Sequence, residues 1–149
     1  MKFLIVVLLV FLDFLSKKLI FNYIELNKLI SIISFIDITH VHNYGIAFGL
    51  FAGVLPWWFI VLLGVIMIIF LLVWMFKISN TFEKWGILLI IAGAISNIGD
   101  RLLNNYVLDF IFMHYKEYYW PAFNFADIYI SLGVLIIVIE CYKIFKTRL

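Results

Sequence analysis

Four stretches of this chain, near residues 3–20, 55–76, 85–103 and 126–145, are apolar over enough length to cross a bilayer, which takes about 20 residues with a range of roughly 17–25. Hydrocarbon offers no partner to a backbone N–H or C=O, so stretches of this kind fold as helices that pair those groups internally. A mean hydropathy of +1.15, with 66% hydrophobic and 13% charged side chains, leaves too little polar surface for a water-soluble domain. The expected fold is an all-α membrane protein of four transmembrane helices forming a single domain over residues 1–149. No internal repeat, linker or low-complexity tract divides it.

The first stretch shares Lys2 and an apolar run with secretory signal peptides. It has no small-x-small cleavage site, and Asp13 and Lys17 interrupt its second half, so it reads as a retained helix. If the four helices alternate, Lys2, Lys77, Lys84, Lys143, Lys146 and Arg148 all fall on one side. The positive-inside bias then makes both termini cytoplasmic. Pro56 with Trp57 and Trp58 marks the start of the second helix at the opposite interface, and Trp85 anchors the third. The basic residues, scattered at helix ends in a chain of net charge +2, form no patch for nucleic acid. The lone Cys141 permits no intramolecular disulfide and reads as a small buried hydrophobe.

Two outer segments remain, residues 21–54 and 104–125. The run 31–41 of the first is rich in Ile and Phe and includes Thr39 and Val41, which predicts a small extracytoplasmic β-like or interfacial segment between helices one and two. The second contains Asp109 and an aromatic stretch, residues 115–120, suited either to headgroup anchoring or to a flap closing over a site.

The polar residues near the spans converge on one depth. Asp13 and Lys17, four apart on the first helix, share a face and can pair. Asn97, Asp100, Arg101 and Asn104 form a stripe at the outer end of the third helix, and Asp127 opens the fourth from the same side. The inner halves are almost bare; Glu140 is the exception, with Lys143 in reach as a partner. A proton or cation path would distribute ionisable groups over several depths, so a small transporter is the weaker reading. A catalytically silent scaffold is a further alternative. Asp100 with Arg101 reads as a scaffold ion pair. His40 and His42, alternate on a possible strand, face one side. With His114 as the third imidazole in the chain, no metal site is expected.

Four ordered blocks then carry a resemblance: Asp13-Phe14-Leu15-Ser16-Lys17; Asn43-Tyr44-Gly45-Ile46-Ala47-Phe48-Gly49; Gly93-Ala94-Ile95-Ser96-Asn97-Ile98-Gly99-Asp100-Arg101; and Val107-Leu108-Asp109-Phe110 followed by Phe123-Asn124-Phe125-Ala126-Asp127. Together they resemble the lipoprotein signal peptidases of bacterial membranes, or signal peptidase II. Ala92 and Ser96 stand where the family pattern has glycines; both are small and still allow close helix approach.

The resemblance implies an aspartic endopeptidase of the bacterial inner membrane, with its site at the outer face. It would remove signal peptides from diacylglyceryl-modified prolipoproteins by cutting before the lipidated cysteine. Asp109 and Asp127 match the catalytic pair, and Asn43, Gly45, Asn97, Arg101 and Asn124 fall in the substrate groove. Asp13, Lys17 and Asp100 supply structural support. The implied partners are prolipoproteins and membrane lipid, with no cofactor and a monomeric enzyme.

The chemistry of the pair agrees, since amide hydrolysis needs one carboxylate to take a proton from water and one carboxylic acid to polarise the carbonyl. Asp127, in the first turn of a helix, is favoured as an anion by roughly 0.3–1 kcal/mol. Asp109 sits among Val107, Leu108, Phe110 and Ile111, which disfavour its charge. Asp127 is therefore expected to be the base and Asp109 the proton carrier.

Overall fold

The computed structural model describes residues 2–46 and 49–147. Ala47 and Phe48 of the second motif block, and Arg148 of the basic set, lie outside the described residues. Four long helices are seen: α1 (Lys2–Tyr23), α2 (Trp57–Lys77), α3 (Thr81–Asn104) and α4 (Phe125–Thr147). Four strands lie between them: β1 (Leu29–Ile33) and β2 (Ile36–Asn43) before α2, β3 (Val107–Tyr115) and β4 (Tyr118–Phe123) before α4.

Among the described residues, three helices are long and apolar enough to cross a membrane: α2, α3 and the stretch Phe125–Lys143 of α4. The four-span expectation thus stands on α1, which carries three charged residues, Asp13, Lys17 and Lys18, within its apolar run. Two of these charges do not face lipid; Asp13 and Lys17 are 1% and 4% exposed.

α3 is central and packs against α1, α2 and, most extensively, α4. Small residues set that last contact. A Cβ at Gly93 would collide with the carbonyl oxygen of Ala126, and one at Gly133 with that of Gly86. The two pairs, Gly86 with Gly133 and Gly93 with Ala126, are spaced seven residues apart on each helix. They form a seam along which the antiparallel backbones nearly touch, the usual means of helix association where lipid removes the hydrophobic drive. Farther along the bundle Leu71, Ile87 and Ile91 form an apolar core with Ile68, Trp74 and Ile137.

The helix starts differ from the sequence reading where caps decide them. α3 begins at Thr81 rather than near residue 85, because the Asn80 side chain accepts from the N–H groups of Phe82 and Glu83. It ends at Asn105, which takes the left-handed conformation (φ 68°) and returns its N–H to the Arg101 carbonyl, the place glycine usually fills.

The β-like element is larger than expected. Both outer segments contribute to one antiparallel sheet of order β1-β2-β3-β4. The second hairpin escaped the sequence reading because its two-residue turn is Lys116-Glu117, with Lys116 at φ 54° where Asn or Gly would have signalled it. Asp109 is consequently a strand residue.

Candidate active site

β3 and the start of α4 meet at Asn124, which is fully buried. Its amide nitrogen donates to Asp109 Oδ1 at 2.7 Å, while its backbone N–H donates to Asp127 Oδ2 at 3.2 Å. Its Oδ1 in turn accepts from the Asp127 N–H at 3.0 Å. Asn124 and Asp127 thereby form a reciprocal box at the helix N-terminus, each side chain satisfying the other's backbone donor. The next orphan N–H, that of Ala126, donates to Asp13 Oδ1 at 2.9 Å, so the first helix caps the last.

Each carboxyl has a second amide partner from another element. Asn43 of β2 donates to Asp109 Oδ2 at 3.0 Å, and Asn97 of α3 donates to Asp127 Oδ1 at 2.9 Å. Burial, followed by the nearby Asp127 carboxylate, pushes Asp109 up to about 7; the Asn43 and Asn124 amides pull the other way without cancelling this. The apolar neighbours that were expected to raise Asp109 are there, with Val107, Leu108 and Phe110 all buried.

Beneath the pair lies an ion cluster. Lys17 Nζ reaches Asp13 at 2.7 Å, Asp100 at 2.8 Å and Asn97 Oδ1 at 3.1 Å. The expected Asp13–Lys17 pair is therefore present, but Asp100 is not paired with Arg101 as expected. Adjacent helical residues point about 100° apart, so Asp100 faces α1 and accepts from the Leu108 N–H, while Arg101 turns toward the β2–α2 connection. Arg101 donates to the carbonyls of Asn97 and Gly45. Gly45 is also the donor to Asn43 Oδ1 (2.9 Å), and a Cβ there would strike the Leu50 carbonyl, so only glycine fits.

All the sequence-selected residues thus gather at one end of the bundle. Asn43, Asn97, Arg101, Asp109 and Asp127 line a cavity of about 500 Å³; Asn124 and Gly45 hold its wall from behind. Sequence reasoning missed Ile60, Ala94, Ile130 and Leu135, which carry the cavity down between helices, and Ser131, its lone hydroxyl among these. Trp120 and Phe123 of β4 line it from the sheet, whereas Tyr115, Tyr118 and Tyr119 at the hairpin end are exposed. Ala92 and Ser96, in place of the family glycines, are both buried; the Ser96 hydroxyl has no hydrogen-bond partner among the described residues. The imidazoles do not converge. His40 and His42 meet at 3.1 Å, while His114, six residues or about 20 Å along β3 from the position facing His42, pairs with Asp37 at 3.4 Å. At the opposite end of the bundle Glu140 binds Lys143 at 2.6 Å and Asn80 at 2.8 Å. Cys141 is exposed rather than buried.

The family described as Signal peptidase (SPase) II matches residues 5–143. The chain belongs to the signal peptidase II family. It is 36% identical over 140 residues to a lipoprotein signal peptidase of Teredinibacter turnerae, covering 90% of this chain and 82% of that one. A lipoprotein signal peptidase of Pseudoalteromonas atlantica is 36% identical over 148 residues, 96% of this chain and 90% of the relative. A solved bacterial membrane enzyme at 33% identity superposes with a TM-score of 0.86 over 95% of this chain and 87% of its own. For a signal peptidase II, a membrane location agrees with the three apolar helices.

Proposed function

We propose that this signal peptidase cleaves prolipoproteins with Asp109 and Asp127 as an aspartic pair, and that the bond broken precedes a diacylglyceryl-modified cysteine. The observation that carries the reading is the bridging of both carboxyls by one buried asparagine in the wall of a cavity open to the helices. Asp127, which accepts from two N–H donors at a helix start, suits the ionised partner; Asp109, raised to about 7, suits the protonated one. Asp127 takes a proton from water as the oxygen attacks the scissile carbonyl, and Asp109 donates its proton to the carbonyl oxygen. Collapse of the tetrahedral species returns that proton to Asp109, transfers the proton held by Asp127 to the leaving nitrogen and releases the amine.

The apolar part of the cavity, lined by Ile60, Ala94, Ile98, Ile130 and Leu135, suits an acyl chain that stays in lipid during cleavage. In this reading α1 is the fourth span, its charges turned inward onto α3. The enzyme is a monomer of the bacterial inner membrane with both termini cytoplasmic and the sheet and aspartates at the outer face. The test is cleavage of a diacylglyceryl-modified prolipoprotein by the protein in detergent, beside Asp109→Asn and Asp127→Asn variants of equal fold. Activity in the parent, its loss in both variants and indifference to chelators are expected; cleavage surviving either substitution rejects the pair.

A further inference from the structure

Asn43 can reach Asp109 only if β2 holds one register against β3, and β2 carries an irregularity just before that point. Ile38 opposes Ile111, yet Val41 opposes Asp109, so Thr39 and His40 together face Phe110. Such a bulge inverts the alternation of every later residue, and a slip of one position would turn Asn43 away from the site. Beyond the bulge the ladder runs for only three pairs: Val41 with Asp109, His42 with Leu108 and Asn43 with Val107. Backbone pairing over so short a stretch is a weak constraint, and the side chains on the reverse face supply a stronger one.

There the His42 and Tyr106 rings stack at 3.6 Å between centroids and 17° between planes. Tyr106 precedes Val107, so the stack is the mirror diagonal of the contact between Asn43 and Asp109 on the other face. Tyr44 closes on both rings edge-on, at 6.4 Å from His42 and 5.7 Å from Tyr106. The bulge itself is pinned by His40, whose Nδ1 meets the Ile24 carbonyl at 2.8 Å and whose Nε2 meets His42 Nε2 at 3.1 Å. Donation of Nδ1–H to that carbonyl leaves His40 Nε2 as acceptor and His42 Nε2–H as donor, with both rings neutral. Burial and the neighbouring His40 hold His42 below its usual value, which keeps this arrangement intact at neutral pH.

We propose that His42 and Tyr106 are positioning residues of the peptidase, whose ring stack on the reverse face of the sheet fixes the register that presents Asn43 to Asp109. The inference rests on the aspartate pair being the reacting centre. The groups facing Asp109 are Asn43 from β2, Asn124 before α4, Asp127 from α4, Lys17 from α1 and Arg101 from α3. Of these, Asn43 is the one whose contact with Asp109 depends on the register of β2. An amide N–H donated to a carboxyl favours its ionised form, so withdrawing Asn43 raises the point at which Asp109 loses its proton.

The experiment uses the full chain in detergent and the variants His42→Ala and His42→Phe. Proton loss from Asp109 is followed without substrate by carboxyl carbon NMR, and kcat and KM are measured separately on a diacylglyceryl-modified prolipoprotein. His42→Ala is expected to move Asp109 titration upward by about one unit and, because Asn43 no longer aims the Asp109 carboxyl, to lower kcat about tenfold with KM nearly unchanged. His42→Phe, which keeps a ring on Tyr106, is expected to restore both. An unmoved Asp109 titration in His42→Ala overturns the proposal, as does a His42→Phe variant that behaves like His42→Ala. If His42→Ala does not fold, Tyr106→Ala beside Tyr106→Phe applies the same comparison from the other ring, with the same two outcomes deciding it. A parent that cleaves no lipoprotein refutes the peptidase reading alone, because the substrate-free titration still decides the role of the stack.

Discussion

Replacing Gly93 by alanine should cost the enzyme about a hundredfold in rate with a modest loss of stability. A Cβ at this position lies 2.7 Å from Ile130 Cγ1 and closer still to the Ala126 carbonyl, where ordinary contact begins at 3.4 Å. Backbone cannot yield as a side chain does, so α3 and α4 must separate locally by roughly 1 Å. Gly93 lies one turn below Asn97, and Ala126 is adjacent to Asp127. The separation therefore opens the Asn97 to Asp127 hydrogen bond, now 2.9 Å, beyond useful range. Overpacking costs about 1–3 kcal/mol, offset in part by the better helix propensity of alanine. A displacement of that size at reacting groups costs about a hundredfold in rate.

Gly133→Ala is the matched control. Its Cβ would meet the Gly86 carbonyl and lie 2.7 Å from Ile90 Cγ1, the same kind of clash, but about 10 Å farther along the seam from the site. Thermal unfolding in detergent and kcat on a lipidated prolipoprotein are measured for both. Similar losses of stability, with rate lost only in Gly93→Ala, are expected. A fully active Gly93→Ala, or equal loss of rate in the two variants, would show that the seam does not set the geometry of the carboxyl pair.

The activity should fall as pH rises through about 7, where Asp109 gives up its proton, and the pH dependence of kcat on a lipidated substrate checks this. Because the folded protein holds that proton more tightly than the unfolded chain, Asp109 contributes stability that is full below the ordinary carboxylate range. That stability is lost as pH rises toward 7, so Asp109→Asn should raise the unfolding midpoint at pH 8 and change it little at pH 4. Lys17→Met leaves Asp13 and Asp100 buried without their cation and should cost about 3–5 kcal/mol by unfolding in detergent, with Asp13 no longer held to cap α4. Arg101→Lys keeps the charge but not the fork that spans the Asn97 and Gly45 carbonyls; a rise in KM larger than the fall in kcat is expected as the loop at Gly45 loosens.

The features legible in the sequence were those governed by local spacing. Asp13 and Lys17 pair because four residues bring side chains onto one helical face, and the depth of the polar groups followed from counting along apolar runs. The aspartate pair was named from its motif blocks, and its convergence required a fold that spacing alone does not give. Asp100 was assigned to its neighbour Arg101, whereas its cation is Lys17, 83 positions away on a different helix. Asn124 looked like one more amide, though in space it is the group that touches both carboxyls. The hairpin of β3 and β4 was hidden by a turn whose left-handed residue is lysine, strained locally and held by strands on both sides.

The clasp between Asp13 and the Ala126 N–H joins positions 113 residues apart, and it has a consequence for how the chain is made. Synthesis from the N-terminus delivers Asp13, Lys17, Asn43, Asn97 and Arg101 first, Asp109 later and Asp127 only with the last helix. Every orienting group except Asn124, which arrives with α4, is thus made before the second carboxylate. On the proposed aspartate mechanism, a nascent chain halted anywhere short of α4 carries one of the two carboxyls and cuts nothing, so activity would begin in a single step, when the final segment docks.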